Sequence, residues 1–283
     1  MSKVIAKIGI DEQLESYRTF FDGQWADDIF EVVAGTRLEP EVDLLVVHWK
    51  SVANAHAMPW VATESLRNYG RGCVGARTPF AVELVDAMKL RLTDAIGKDL
   101  SRHKKNIVDA AVDSVASDVL ARSAVAKGVA ASGVRSSDIW AYFIGHYEFQ
   151  MSVWGSQRLC YAGVYFGYES FVRACASLAT NRPSSDNWTK GGTLVKNLKT
   201  VFGEQIVKQC ITDQPVQIAR LVRNALVHNA GKVTEELGHI SHGLAVQDGV
   251  LQIMAPDTSG LFRQLKGRAL ALAQKAIELP GIK

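Results

Sequence analysis

From Thr78 onward, apolar residues recur mostly at intervals of three and four, the period of an amphipathic helix rather than of a strand. TPFAVELVDAMKLRLTDAIGKDL carries Val82, Leu84, Val85, Met88, Leu90 and Leu92 at that spacing behind an early proline, which predicts a helix. IVDAAVDSVASDVLARSAVAKGVAA keeps the period, is rich in alanine, and predicts a second long helix up to about Ser132. SGVRSSD then reads as a loop, with Asp138 placed as an N-cap. The aromatic-rich stretch from Ile139 to Ala179 exceeds the usual length of one globular helix, so a break near Gly155 is expected. TNRPSSDNWTKGG is dense in turn residues, and TLVKNLKTVFGEQIVKQC after it predicts a further helix.

Asp213, Gln214 and Pro215 announce the start of the next helix, since aspartate caps and proline fits the first turn. Beyond Gly231, the apolar runs of HGLAVQDGVLQIM flank Asp248 and Gly249, the dipeptide of a tight hairpin. SGLFRQLKGRALALAQKAIEL predicts a closing helix. Before Thr78 the signal is different. VIAKIGI from Val4 and DLLVVHW from Asp43 read as short strands, giving a small mixed or irregular region over residues 1–80. The expected organisation is thus residues 1–80, a helical region over 81–135, and a helical domain over 138–283.

In the helix after Asp213 the pattern has two faces. With Arg223 set at 0° and about 100° per residue, Val227 falls near 40°, Arg220 near 60°, Asn224 near 100°, Gln217 near 120° and His228 near 140°. The apolar Leu221, Ala225, Ile218, Val222, Leu226 and Ala219 fill the other side, so one face suits a core and one suits polar chemistry. Arg223 and His228 are separated by about 7.5 Å along the axis, close enough for both to reach one anion.

An imidazole and a guanidinium suffice for metal-free cleavage of RNA. The imidazole, with an ordinary pKa of ~6.5, can take the proton of the ribose 2'-hydroxyl or return one to the leaving 5'-oxygen. The guanidinium fork matches two phosphate oxygens and stabilises the charge that builds as phosphorus becomes five-coordinate. A second acid–base group is also required, and a twofold pairing of such helices would supply it. The structural reading of the same residues is plain: His228 in the last turn interacts favourably with the helix dipole, and Asn229 or Gly231 can take the left-handed cap.

With its surroundings, RLVRNALVHNAGKV from Arg220 resembles the RNxxxH motif of HEPN-domain proteins, an all-helical superfamily containing many metal-independent endoribonucleases. YFGYESFVRA resembles the helix that precedes the motif helix in that family, and Glu169 resembles a polar residue found there. The resemblance covers about Asp138 to Leu279. It implies a mainly α fold, a HEPN-like antiparallel helical bundle with a short C-terminal β-hairpin, and a homodimer with both motifs at the interface. It implies that Arg223 and His228 are catalytic, that Asn224 positions phosphate or histidine, and that Glu169 supports them, with no metal or cofactor. Apart from the resemblance, the cations Arg220 and Lys232 are expected to bind RNA. The activity that the resemblance implies is an endoribonuclease leaving a 2',3'-cyclic phosphate, acting as a toxin or antiphage effector. An antitoxin, or a nucleic-acid-sensing partner of argonaute-like or CRISPR type, would control it. The alternative from a different class is a non-catalytic binding or dimerisation subunit of such a sensing complex.

Composition changes little in this picture. A hydrophobic share of 47% over 283 residues fits a folded protein, and a net charge of +3 permits an anionic partner without the charge density of a DNA-coating protein. Cys73, Cys160, Cys175 and Cys210 form no CxxC pair and read as reduced thiols. No apolar run long enough for a membrane span or a signal peptide is evident, so a cytoplasmic location is expected. His239 and His242 lie near Glu235 and Glu236, but a pair between two glycines without a third ligand reads as solvated polar side chains on a turn rather than a metal centre. Glu169, within an apolar helix, requires a partner, for which Arg223 or Arg173 is placed. The aromatic series from Trp140 to Tyr168 reads mostly as core, with one or two rings available for stacking on bases.

Overall fold

A computed structural model describes residues 9–75, 110, 135–182 and 191–282. The described chain is mostly helical, with one two-stranded antiparallel sheet. In order, the elements are α1 (Ile10–Glu15), α2 (Gly23–Val33), α3 (Glu39–Gly75), α4 (Ser136–Ile144), α5 (Tyr147–Thr180), α6 (Gly191–Phe202) and α7 (Glu204–Val207). A π-helical segment (Lys208–Thr212) leads into α8 (Gln214–His228) and α9 (Glu235–Gly238). β1 (Ala245–Gln247), β2 (Val250–Gln252) and α10 (Ala255–Ala276) complete the chain. None of the described helices is long and apolar enough to cross a membrane.

The chain divides into two compact units, Met1–Trp60 with Ile144–Lys283, and Val61–Phe143. This departs from the expected division at residues 80 and 135. Instead of a separate N-terminal region, Trp25, Ile29, Val33, Leu38, Val42 and Trp49 share one buried cluster with Tyr168, Val222 and Phe262. The expected strand from Asp43 is helical and lies within α3. Val42, Leu45, Val46, Trp49 and Ala53 are buried at intervals of three and four, whereas Leu44 and Val47 are exposed. An unbroken apolar run of LLVV hides that period within a short window. The stretch from Val4 lies mostly outside the described residues, as do both helices expected between Thr78 and Ser132.

Within the first unit, α5 is the axis, about 51 Å long at 1.5 Å per residue. Residues of α3 meet it in reverse order: Trp49 Nε1 donates to Val164 O at 2.9 Å, and the His56 ring faces Gln157 Oε1 at 2.9 Å, so the two helices run antiparallel. Gly167 makes the close approach feasible, because a Cβ there would collide with the rings of His48 and Trp49. α10 runs with α5: Tyr161 of α5 and Asp257 of α10 line one cavity, and Gly281 beyond α10 packs on the carbonyls of Leu178 and Ala179.

Several local expectations are corrected. The aromatic stretch breaks at Gly145 and His146, between α4 and α5, and α5 passes through Gly155 unbroken. One glycine in a long packed helix costs only about 1 kcal/mol, which the packing outweighs. Asp138 lies inside the first turn of α4, accepting from Arg135 N at 2.9 Å, instead of preceding the helix. The helix expected from Thr193 to Cys210 is interrupted at Gly203, whose φ of +84° turns the chain between α6 and α7. α10 begins at Ala255, before the expected Ser259, because the Asp257 carboxylate reaches back to Met254 N at 2.8 Å. The hairpin at Asp248 and Gly249 forms as expected, with Val246 opposite Leu251.

His56 supplies a pH signal for this core. Its ring is fully buried, beside Tyr17 and Phe20, and burial holds its pKa below the ordinary value despite hydrogen bonds to Ser16 O and Gln157. Below ~6.5 the unfolded chain takes up a proton that the folded ring resists. Stability is therefore expected to be full above that value and to fall as pH drops toward the folded pKa. Urea midpoints of the wild type and His56→Gln should diverge less at pH 5.5 than at pH 7.5; parallel curves would show that His56 is not the group responsible.

Candidate functional site on the motif helix

The motif helix begins where the sequence places it. The Asp213 carboxylate accepts from Gln214 N at 3.0 Å, Pro215 fits the first turn, and Arg268 of α10 forms an ion pair with Asp213. Ahead of it, the Tyr168 hydroxyl donates to Cys210 O at 2.6 Å, tying the π-helical segment to α5. Ala219, Leu221, Val222 and Ala225 are buried, as the two-faced wheel requires, and Val216, two turns before Arg223 on the same side of the helix, is buried as well.

The helix ends in a left-handed turn at Ala230 and Gly231 rather than at Asn229, with φ of +51° and +84°. Asn229 N and Gly231 N both donate to Ala225 O, at 3.1 and 2.8 Å, which satisfies a carbonyl that the helix end would leave open. The chain then lies against the hairpin. Leu251 N donates to Gly231 O at 2.9 Å and Val233 N to Gly249 O at 2.9 Å, so β2 fixes the exit of the motif helix.

Arg223 points toward α5, where its guanidinium meets the Glu169 carboxylate. Arg173, one turn along α5, donates to the other oxygen of the same carboxylate at 3.1 Å. Glu169 therefore has both of the partners proposed for it, and the three groups carry one net positive charge. Arg223 and Glu169 retain side-chain exposures of 19% and 23%, so the pair sits at the edge of solvent. The Arg223 guanidinium also lies 5.6 Å from the Tyr165 ring centre. Burial, then the Glu169 charge, push the Tyr165 hydroxyl up to about 12, while Arg223, Arg220 and Arg173 pull the other way; it stays a neutral donor near pH 7.

Asn224 is partly exposed, and His228 and Val227 are exposed, so the polar face beyond Arg223 is open. Arg220 is engaged: it donates to Gln217 Oε1 at 3.1 Å and pairs with Glu236 of α9 at 3.2 Å. Lys232 is exposed. The structure thus brings Arg223, Glu169, Tyr165 and Arg173 together, while Asn224 and His228 lie farther round the same helix. His239 and Glu235 are both exposed at 3.9 Å, and His242 Nδ1 accepts from Leu244 N; among the described residues no cluster of three metal-ligating side chains forms. Cys160, Cys175 and Cys210 are buried thiols.

One residue at this site was not singled out in the sequence. Arg158 of α5 packs against Gly231, and a Cβ at that glycine would collide with its guanidinium. The Arg223–Glu169 and Gly231–Arg158 contacts show α8 and α5 running antiparallel. No local pattern joins residues so far apart in the chain.

Comparison of the chain with protein-family models, with curated proteins and with solved structures returned no match.

Proposed function

We propose that the protein is a metal-independent endoribonuclease of the HEPN type, built as an antiparallel helical bundle and acting as a homodimer. One observation carries the reading: α8 fixes Arg223 against Glu169 of the antiparallel α5 while Asn224 and His228 remain open to solvent on the same helix. The bound RNA would place a phosphate at the partly exposed edge of Arg223. An imidazole takes the 2'-hydroxyl proton, the 2'-oxygen attacks phosphorus, and the 5'-oxygen leaves with a proton from a second imidazole. His228 of each protomer supplies one of these groups if the two motif helices pair about a twofold axis. The products are a 2',3'-cyclic phosphate and a 5'-hydroxyl, and no water is consumed in this step.

Incubation of purified protein with single-stranded RNA in EDTA tests the chemistry. Cleavage should persist, with fragments carrying cyclic phosphate ends, and an oligonucleotide with deoxyribose at every position should stay intact. Loss of activity in chelator, or 5'-phosphate ends, would sink the mechanism. A cellular role as a toxin or antiphage effector is the context the HEPN resemblance implies, and a free ribonuclease would harm its host, so its activity calls for control. Control by an antitoxin or by an argonaute-like or CRISPR-type sensing partner belongs to the same proposal.

The second reading is a non-catalytic subunit that binds or dimerises. The Arg223–Glu169 pair favours it, because that contact occupies part of the guanidinium and fixes helix packing as well. Protein that binds RNA or a partner and never cuts would select this reading.

A further inference from the structure

Arg158, Tyr165 and Glu169 lie within ~40° of one another around α5, so the face that holds Arg223 also carries Arg158, about two turns from Tyr165 and three from Glu169. The Arg158 guanidinium lies 4.6 Å from the Trp154 ring centre and packs against Gly231. Unlike Arg173, Arg220 and Arg223, it makes no ion pair and no hydrogen bond to any described residue, and its Nε is buried without a partner. Burial alone holds its pKa below the ordinary guanidinium value, and no nearby carboxylate compensates. A half-buried fork, fixed in orientation by an aromatic ring, without a counter-ion and with its donors unused, is suited to an anion that arrives from solution.

Its position names the anion. Gly231 follows His228 by three residues, so their Cα atoms are at most about 11 Å apart. Lys232 is the next residue and is exposed. We propose that Arg158 is a phosphate-binding residue of the RNA site, gripping the strand at the phosphate next to the one that is cut. The proposal rests on the ribonuclease reading above. Gly231 is then required twice, for the left-handed turn that ends the motif helix and for the space that Arg158 fills. Arg158 positions the strand and takes no part in proton transfer.

The experiment uses the full chain and a short single-stranded RNA whose 2'-hydroxyls are methylated, which removes the attacking group and allows binding to be measured without cleavage. Arg158→Gln should weaken binding about 10-fold or more, the effect of losing a charged hydrogen bond. It should also make the slope of log K against log salt shallower by about 0.7, the contribution of one phosphate contact on a single strand. Arg158→Lys should keep the slope and lose affinity several-fold, because the charge stays and the fork is lost. With unmodified RNA, Arg158→Gln should raise KM and leave kcat nearly unchanged.

A purely structural cation, stacked on the end of a helix, would lower Tm on substitution and leave the salt slope unaltered; that result overturns the proposal. Should the Gln variant fail to fold, wild-type affinity in Arg158→Lys overturns it instead. A wild-type protein that cuts RNA while Arg158→Gln binds normally removes this inference alone. Binding that depends on Arg158, in a protein that never cuts, removes the nuclease reading alone.

Discussion

His228→Ala is expected to lower the rate of RNA cleavage by about 10²–10⁴, the range for removing a positioned general acid or base. Arg223→Ala is expected to lower it by about 10²–10³, the loss for one preorganised donor to a developing oxyanion. The two differ in their side effects. His228 is exposed, so its removal should leave the melting curve nearly alone. Arg223 is also a packing group between α8 and α5, and its loss leaves Glu169 with Arg173 as its one remaining arginine among the described residues. Arg223→Lys separates these roles, because an ammonium can still face Glu169 but cannot fork across two phosphate oxygens. It should fold like the wild type and cut far more slowly. Rates on a defined RNA, measured below the melting transition of each variant, decide the matter: undiminished cleavage in either alanine variant would end the assignment. The double variant should be little worse than the weaker single one if both groups serve a single transition state.

The motif helix is legible in the sequence because every cue is local. Asp213 and Pro215 mark its start, most of the apolar residues share one face, and Gly231 marks its end. The hairpin at Asp248 is legible for the same reason. The misreadings share a different cause. LLVV at Leu44 is a short apolar run that fits a strand or a buried helix, and only the longer series from Val42 to Ala53 separates them. Gly155 and Gly203 are the same residue type with opposite outcomes: the first sits inside α5, and the second takes a positive φ and stops α6. Which occurs depends on what packs on either side. The partners of Glu169 could be named as types from the need to compensate a carboxylate in an apolar helix. Arg158 could not, since its meaning comes from a contact with Gly231 that depends on how two antiparallel helices align.

The participation of the N-terminal residues in the motif domain's core was the least legible feature, and it has the largest consequence for stability. Phe262 of α10 is fully buried, with ring centres at 5.0 Å from Phe20, 6.2 Å from Phe21, 6.0 Å from Trp25 and 5.1 Å from Trp49. These rings come from the segment between α1 and α2, from α2 and from α3, so one side chain joins three parts of the chain between Phe20 and Trp49 to the C-terminal helix. Phe262→Ala should cost about 3–5 kcal/mol, from lost burial and an unfilled cavity among rigid rings. That is a large part of the ~5–15 kcal/mol by which a domain is stable, and it corresponds to a fall in Tm of roughly 6–20 °C. Phe262→Leu should lose much less, since most of the volume is kept. The substitution lies away from Arg223 and His228, so kcat well below the transition should match the wild type and fall only as the protein unfolds. Scanning calorimetry of both variants checks this: an alanine variant that melts within about 2 °C of the wild type would mean that the N-terminal helices do not share the core of the motif domain.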